Sequence, residues 1–425
     1  MAYEDCELSL AENTAKAALY EKGKQDTSSD FFIKMTKICE DFIRKTKAVV
    51  YGGTAINTLL PKESKFYNPE IDIPDYDIYT SDPIRHAKQA VDLFLKGGFV
   101  HVEAKSANHY GTYKVFVEFF GALDITFMPV KLFKLVQKNA LVRKGMFFCH
   151  PDLLRQAIYI ELANPYGDVD RWKKVLPRLH NLNAAFPIKA GKCGDLKSNV
   201  KVPVDETLNS ILEEVMITEE VVFLGGFAHS YYLPTTSPTL VKSEDPGYYD
   251  IIVEKPVAFI KKVMVALKKA DYTNVTKTKH AAVGELIGPY YEVKINDHAV
   301  LNIFEPTKCY AYNEVPKNGK TVRVASFDTL LAFYFAFLYA DFPHFNKKRI
   351  LCMAEMLFKV MHDNVQNQKG LLRRFPMKCY GKSETLRTMK AHKWDLRKKL
   401  KKGTVAYNRW FFKYIPFMPN TPSAS

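Results

Sequence analysis

The sequence predicts an α/β (α+β) fold in which one domain plan occurs twice in tandem, each copy a mixed sheet flanked by helices, followed by a basic C-terminal segment. Three observations predict it. Similar segments recur in the same order in the two halves, glycine pairs and acids keep equal spacing in both, and positive charge gathers after the second. At 425 residues the chain is also longer than one average domain.

The repeat begins at the glycines. "AVVYGGTAINTLLP" parallels "EVVFLGGFAHSYYLP", each a β-branched apolar run, two glycines, a short helical pattern and a proline. Gly52 to Pro61 and Gly225 to Pro234 both span nine positions, and Gly53 to Asp77 and Gly226 to Asp250 both span 24. "PDYDIYTSDPIRHAKQAVDLF" then parallels "GYYDIIVEKPVAFIKKVMVAL", a strand followed by a long helix. "YKVFVEFFGALDITFMP" parallels "YEVKINDHAVLNIFEP", each an alternating strand, a turn and a second strand ending in proline. A pair of amphipathic helices closes each copy, "HPDLLRQAIYIELANPYGDVDRWKKVLPRL" in the first and "SFDTLLAFYFAFLYADFPHFNKKRILCMAEML" in the second.

Leading helices stand before both copies. "SSDFFIKMTKICEDFIRKTK" starts at a Ser29 or Asp30 cap, and "PVDETLNSILEEVM" precedes the second. Ala184 to Pro203, rich in Gly, Pro and Lys, is the expected linker. The expected domains are 1–190, 204–365 and the basic segment 366–425.

The formal charge is +15, which favours a polyanionic partner. From Lys369 to Lys413 there are 15 Lys or Arg against two acids, Glu384 and Asp395, a local +13 that holds most of the excess. The seven cysteines are scattered singly, without CxxC spacing, and are expected to be reduced thiols. The N-terminal stretch lacks the pattern of a secretory signal, and "LLAFYFAFLYA" (Leu330 to Ala340) is too short for a bilayer span. The expectation is an intracellular, cytoplasmic protein that is neither secreted nor bound to a membrane.

The first copy carries the chemistry. In "IDIPDYDIY" the strand period of two turns Asp75 and Asp77 to one face. Two carboxylates side by side repel unless a cation joins them, so the pair suits Mg²⁺ or Mn²⁺. Asp124, in "GALDITFMP", would complete a two-metal site from a neighbouring strand. Two ions about 4 Å apart activate a hydroxyl nucleophile and stabilise a leaving pyrophosphate. Gly52 and Gly53, between a strand and a helix, let backbone N–H groups approach phosphate, with Thr54 and Asn57 as the nearest side-chain donors. Each part alone is an ordinary turn or a solvated acid; the ordered combination carries the reading.

These motifs resemble those of the nucleotidyltransferase superfamily: a Gly-[Gly/Ser] turn, an hDxDh strand and a later third carboxylate. "YGGTAIN", "DIPDYDIY", "ALDIT" and "HPDLLRQAIYIELANP…RWKKVLPRL" more closely resemble the catalytic poly(A) polymerases of large DNA viruses, across about Lys47 to Leu182. The resemblance implies tandem nucleotidyltransferase-like domains with one active copy. It also implies metal-dependent, template-independent addition of adenylates from ATP to an RNA 3′ end. By position, Asp75 and Asp77 would bind both metals, and Asp124 the ion that activates the primer hydroxyl. Gly52, Gly53 and Thr54 would meet the triphosphate. Arg171, Lys173 and Lys174 fall where this superfamily often has a phosphate-binding basic residue, with the choice between the two lysines open. Relatives either recruit a processivity subunit or self-associate, and a viral protein of this kind would act in a viral factory or virion.

The second copy is expected to be silent. Asp75 falls on Tyr248, Asp77 on Asp250 and Asp124 on Asn302, so one of three ligands survives. For the primer, the basic segment offers Arg397, Lys398, Lys399, Lys401 and Lys402 as phosphate contacts, with Trp394, Tyr407 and Trp410 able to stack on bases. Two alternatives stand beside this reading. One is another RNA nucleotidyltransferase, of the uridylyl, CCA-adding or oligoadenylate synthase type; the other is a non-catalytic RNA-binding scaffold.

Overall fold

The computed structural model describes residues 3–191, 193, 205–233, 248–340 and 346–416. They form two compact units, one of 3–150 with 386–416 and one of the described residues between 151 and 385.

In the first unit, helix α1 (Tyr3–Ser28) buries none of its residues. Helix α2 (Asp30–Thr46) starts at Ser29, whose hydroxyl accepts the Phe32 N–H, and turns Phe32, Met35, Cys39, Phe42 and Ile43 inward. Strand β1 (Val49–Tyr51) runs into α3 (Gly52–Leu59), then β2 (Tyr76–Thr80) and α4 (Pro83–Lys96). Strands β3 (Val102–Ser106), β4 (Thr112–Val117) and β5 (Phe120–Phe127) follow, then α5 (Val130–Lys138), β6 (Leu141–Arg143) and β7 (Met146–Phe148). The strands lie in the order β3–β4–β5–β2–β1–β7–β6. β2 pairs in parallel with β5, and β1 in parallel with β7.

Helices α2 and α4 cover one face of this sheet, burying Ile78, Tyr113, Val115 and Ile125. Each large apolar side chain so buried contributes roughly 1.5–3 kcal/mol. The alternate positions, Asp77, Tyr79, Lys114, Phe116 and Asp124, belong to the other face and are half-buried. Strand periodicity thus separates a core face from a chemical face.

The second unit contains α6 (Pro151–Leu162), α7 (Trp172–Ala185), α8 (Glu206–Thr218), β8 (Val222–Phe223) and α9 (Gly225–Ser230). Next come β9 (Tyr249–Ile252), α10 (Pro256–Lys269), β10 (Val275–His280), β11 (Tyr290–Ile295) and β12 (His298–Phe304). Strands β13 (Tyr310–Lys317) and β14 (Lys320–Ala325), helices α11 (Phe327–Phe337) and α12 (Lys347–Asp363), and β15 (Cys379–Tyr380) complete it. Its sheet order, β10–β11–β12–β9–β8–β14–β13, repeats that of the first unit strand for strand, with the same parallel and antiparallel pairs. The two-copy reading of the sequence is thereby met in topology. α11 is buried along its whole length, and no helix of the described residues is long and apolar enough to cross a membrane.

The chain then returns to the first unit through α13 (Leu386–Lys399), α14 (Val405–Phe411) and β16 (Lys413–Tyr414). β16 pairs antiparallel with β3 and extends the first sheet at that edge.

Two expectations change here. The compact units do not follow the expected boundaries at 190 and 365. α6 and α7 belong with the second unit because α6 packs its apolar face on α11. The segment 386–416 joins the first unit by strand addition. The cysteines are not all reduced thiols: Cys193 is bonded to Cys352 and Cys309 to Cys379. The partners lie 159 and 70 positions apart, which is why single scattered cysteines looked unpaired. Cys6, Cys39 and Cys149 are free. Much of the expected linker, 192 and 194–203, lies outside the described residues.

Candidate active site

The site begins where β1 ends. Gly52 has φ +72°, a conformation that costs an L-residue with a side chain, and a Cβ there would stand 2.4 Å from Asp77 Oδ2. Glycine therefore serves twice, once for the backbone and once for the approach of a carboxylate. Gly53 follows in the first turn of α3.

Behind the turn, the Thr54 hydroxyl donates to the Asp75 carbonyl at 2.6 Å. Asn57 Oδ1 accepts the N–H groups of Phe66 and Tyr67 at 2.9 and 3.0 Å. Both side chains hold the loop that leads to the DxD stretch. They line a cavity of about 380 Å³ with Lys65, Tyr67, Arg143 and Lys144, which none of the three expected metal ligands lines. In this structure Thr54 and Asn57 act as loop anchors.

Asp75 is exposed and precedes β2, while Asp77 lies within it, half-buried. Asp77 pairs directly with Asp124 across the parallel β2–β5 ladder. Neighbouring strands lie about 4.8 Å apart, so the two carboxylates rise side by side from one face. On the other flank of Asp124 stands Lys114, its register partner on β4, with Nζ 2.5 Å from Asp124 Oδ2. Next to Asp77, the rings of Tyr51 and Tyr79 stack with centroids 3.8 Å apart. The Tyr51 hydroxyl shares a 2.9 Å hydrogen bond with Thr126 Oγ1.

Among the described residues no group of three or more His, Cys, Asp or Glu is drawn together as a closed metal cluster. The donors nonetheless suit a hard divalent cation: all are carboxylate oxygens, two on directly paired positions and a third two residues before. Lys114 offsets the charge of one of them in this state.

The remaining expected residues are more dispersed. Lys173 and Lys174 are exposed in the first turn of α7, within the second unit, and Arg171, also exposed, contacts Glu161 at 2.9 Å. Arg397, Lys398 and Lys399 end α13 and Lys401 and Lys402 follow it, all exposed. Trp394 is exposed as well, whereas Trp410 packs against Tyr110 and His392.

The second copy repeats this geometry with different chemistry. Gly225 has φ +57°, and a Cβ on it would stand 2.4 Å from Asp250 Oδ2, as at Gly52 and Asp77. Asn302 is the direct register partner of Asp250, in the place of Asp124, and its amide donates to Asp250 Oδ1 at 2.9 Å. Tyr248, Asp250 and Asn302 are all buried. Burial pushes the Asp250 carboxyl up to about 7, opposed by the Asn302 hydrogen bond and the charge of Arg349. A buried set of one acid, one amide and one phenol has neither the charge nor the opening for a metal pair.

Sequence reasoning had not singled out Lys114. The signal was present, since "YKVFV" and "ALDIT" flank one hairpin, but a shift of register between Val115 and Phe116 spoils the count. Counting from the turn pair Val117–Phe120 would set Lys114 opposite Leu123. The bulge moves it opposite Asp124.

Comparison with known proteins bears out the resemblance drawn from the motifs. Residues 37–168 match the family described as Poly(A) polymerase catalytic subunit. A protein of African swine fever virus (isolate Tick/South Africa/Pretoriuskop Pr4/1996) assigned as such a subunit is 27% identical over 198 residues, 45% of this chain and 38% of the relative. One from Acanthamoeba polyphaga mimivirus is 26% identical over 210 residues, 46% of this chain and 35% of its own. The matched stretch thus spans little more than a third of these curated relatives. The crystal structure of the Megavirus polyadenylate synthase superposes with a TM-score of 0.79 at 19% identity, covering 97% of this chain and 84% of that one. At that identity the likeness is one of fold.

Proposed function

We propose that this chain is a template-independent, metal-dependent polynucleotide adenylyltransferase that adds AMP from ATP to RNA 3′ ends. The observation that carries the proposal is the contrast between the copies. The Gly52 turn faces a paired Asp77 and Asp124 on an open sheet face, while the Gly225 turn faces a buried Asp250 and Asn302. A scaffold of two degenerate domains would not need to keep the acids in one copy. The family matched by residues 37–168 supports the same chemistry.

Divalent cations held by Asp75, Asp77 and Asp124 would supply Lewis acidity to the α-phosphate and to the primer hydroxyl. The primer 3′-oxygen attacks the α-phosphorus and gives up its proton to solvent, while the bond from the α-phosphorus to the α–β bridging oxygen breaks and pyrophosphate leaves. The chain's own share is positioning. Gly52 and Gly53 present backbone N–H groups to the triphosphate, and Thr54 and Asn57 hold the loop before Asp75. Lys173 or Lys174, by the motif resemblance, is the candidate phosphate contact, and Arg397, Lys398, Lys399, Lys401 and Lys402 draw the RNA backbone. Placed in a helix's first turn, the two lysines oppose the helix dipole, which an anion there would relieve.

RNA and ATP as substrates imply an intracellular place of action. The family's description as a catalytic subunit supports a partner subunit, for which a processivity role is proposed, with self-association as the alternative.

Purified chain incubated with an end-labelled RNA primer, Mg²⁺ or Mn²⁺ and each NTP separately tests the proposal. Long tails with ATP alone are expected. Asp77→Asn or Asp124→Asn should lower the rate at least ~100-fold, the scale of losing one preorganised transition-state contact, while Asp250→Asn leaves it within about threefold. Extension with UTP in preference to ATP would move the reading to a uridylyltransferase. Absence of extension with every NTP would overturn it.

A further inference from the structure

One row of directly paired residues crosses six of the eight strands of the first sheet, from β1 to β16. Tyr51 faces Asp77, Asp77 faces Asp124, Asp124 faces Lys114, Lys114 faces Lys105, and Lys105 faces Lys413. Directly opposed residues project from the same face of a sheet. The row is therefore acidic at its centre and basic from there to the C-terminal edge, on the side that α2 and α4 leave uncovered. Its lysine side chains are 45%, 46% and 61% exposed in the order 114, 105, 413.

The local acids do not cancel this charge. Lys114 is paired with Asp124, an acid that a bound cation would engage in its place. Lys105 contacts Glu103 at 2.6 Å and lies over the Phe116 ring at 4.2 Å, while Lys413 reaches the same Glu103 only at 3.8 Å. With a divalent cation on Asp124, three ammonium groups would face one carboxylate. Their backbone positions stand at strand intervals of about 4.8 Å, held by pairing rather than by flexible loops.

We propose that Lys114, Lys105 and Lys413 form a track for the phosphates of the primer strand just upstream of its 3′ end. Lys114 meets the end beside the carboxylates, and Lys105 and Lys413 meet the phosphates behind it. The inference rests on the adenylyltransferase reading and deepens it by naming the path of the strand. It also gives β16 a purpose: the far end of the chain supplies the last charge of the track and carries the basic end of α13 with it.

The test is salt-dependent binding of a fluorescent single-stranded oligoadenylate to the full chain, read by anisotropy between about 50 and 200 mM salt. Lys105→Gln with Lys413→Gln is compared with Lys34→Gln and Lys37→Gln on α2, which packs on the opposite face. Each lost phosphate contact should reduce the slope of log K against log salt by about 0.7, so the track pair should lose about 1.4. Affinity at low salt should fall about tenfold, and the primer KM should rise with the ATP KM unchanged. An unchanged slope in the track pair, or an equal loss in the control pair, overturns the track. Wild-type chain that binds no RNA overturns the underlying reading instead.

Discussion

A methyl group on Gly52 would meet Asp77 Oδ2 at 2.4 Å and would also have to accept φ +72°. Gly52→Ala should therefore cost about 1–2 kcal/mol of backbone strain and shift the thermal midpoint down by about 2–8 °C. Because the displaced group is a carboxylate proposed to hold the catalytic metal, transfer should fall roughly 100-fold. Gly225→Ala carries the same strain and should leave transfer nearly intact. Calorimetry and primer extension on both variants check this; equal rates for the two would break the link between turn and carboxylate. At this scale much was legible. The glycines, Asp77 and Asp124 follow from spacing and strand parity, whereas Lys114 was hidden by one bulged residue. The hydroxyl of Thr54 was legible as a donor, but the Asp75 carbonyl as its acceptor required the folded loop.

Among the elements, the C-terminal segment departs furthest from its expected role. Its charge read as a basic RNA-binding tail, yet it is also part of the first sheet. The Phe412 ring is buried edge-on against Tyr113 at 5.4 Å, and the Phe412 carbonyl accepts the Ser106 N–H at 2.9 Å. Lys393 spends its ammonium on the Ala107 carbonyl at 2.7 Å, and Tyr414 donates to Asp92 at 2.9 Å. Phe412→Ala should cost about 3 kcal/mol, lower the thermal midpoint by about 6–12 °C, and open the segment 386–416 to proteolysis. Differential scanning calorimetry with limited proteolysis measures both, and an unchanged digest would detach the segment from the sheet. Charge composition anticipated the exposed basic residues at the end of α13. Its strand pairing was obscured because two residues of β16 are too few to show a period.

For the molecule as a whole, the repeat was the most legible feature and the covalent links the least. Equal spacings of glycine and acid in two halves anticipated two sheets of one topology. Nothing in the spacing of single cysteines anticipated Cys193–Cys352 or Cys309–Cys379. A thiol count on denatured, unreduced protein should find three free groups, those of Cys6, Cys39 and Cys149, and seven after reduction. Seven before reduction would show that the bonds do not form in solution. The compact units also divide the chain otherwise than composition suggested, because α6 is held by its packing on α11 rather than by its place after β7.

The sequence by itself determined what recurs and what is chemically distinct: two copies, one with paired acids and one without, and a charged segment at the end. These are properties of order and residue type, which survive without knowledge of any contact. Only the tertiary structure decided the rest, namely Lys114 opposite Asp124, the lysine row that crosses to β16, the disulfide partners and the unit that claims α6. Each of these depends on which strands and helices become neighbours, and register, bulges and packing settle that only when the chain is folded.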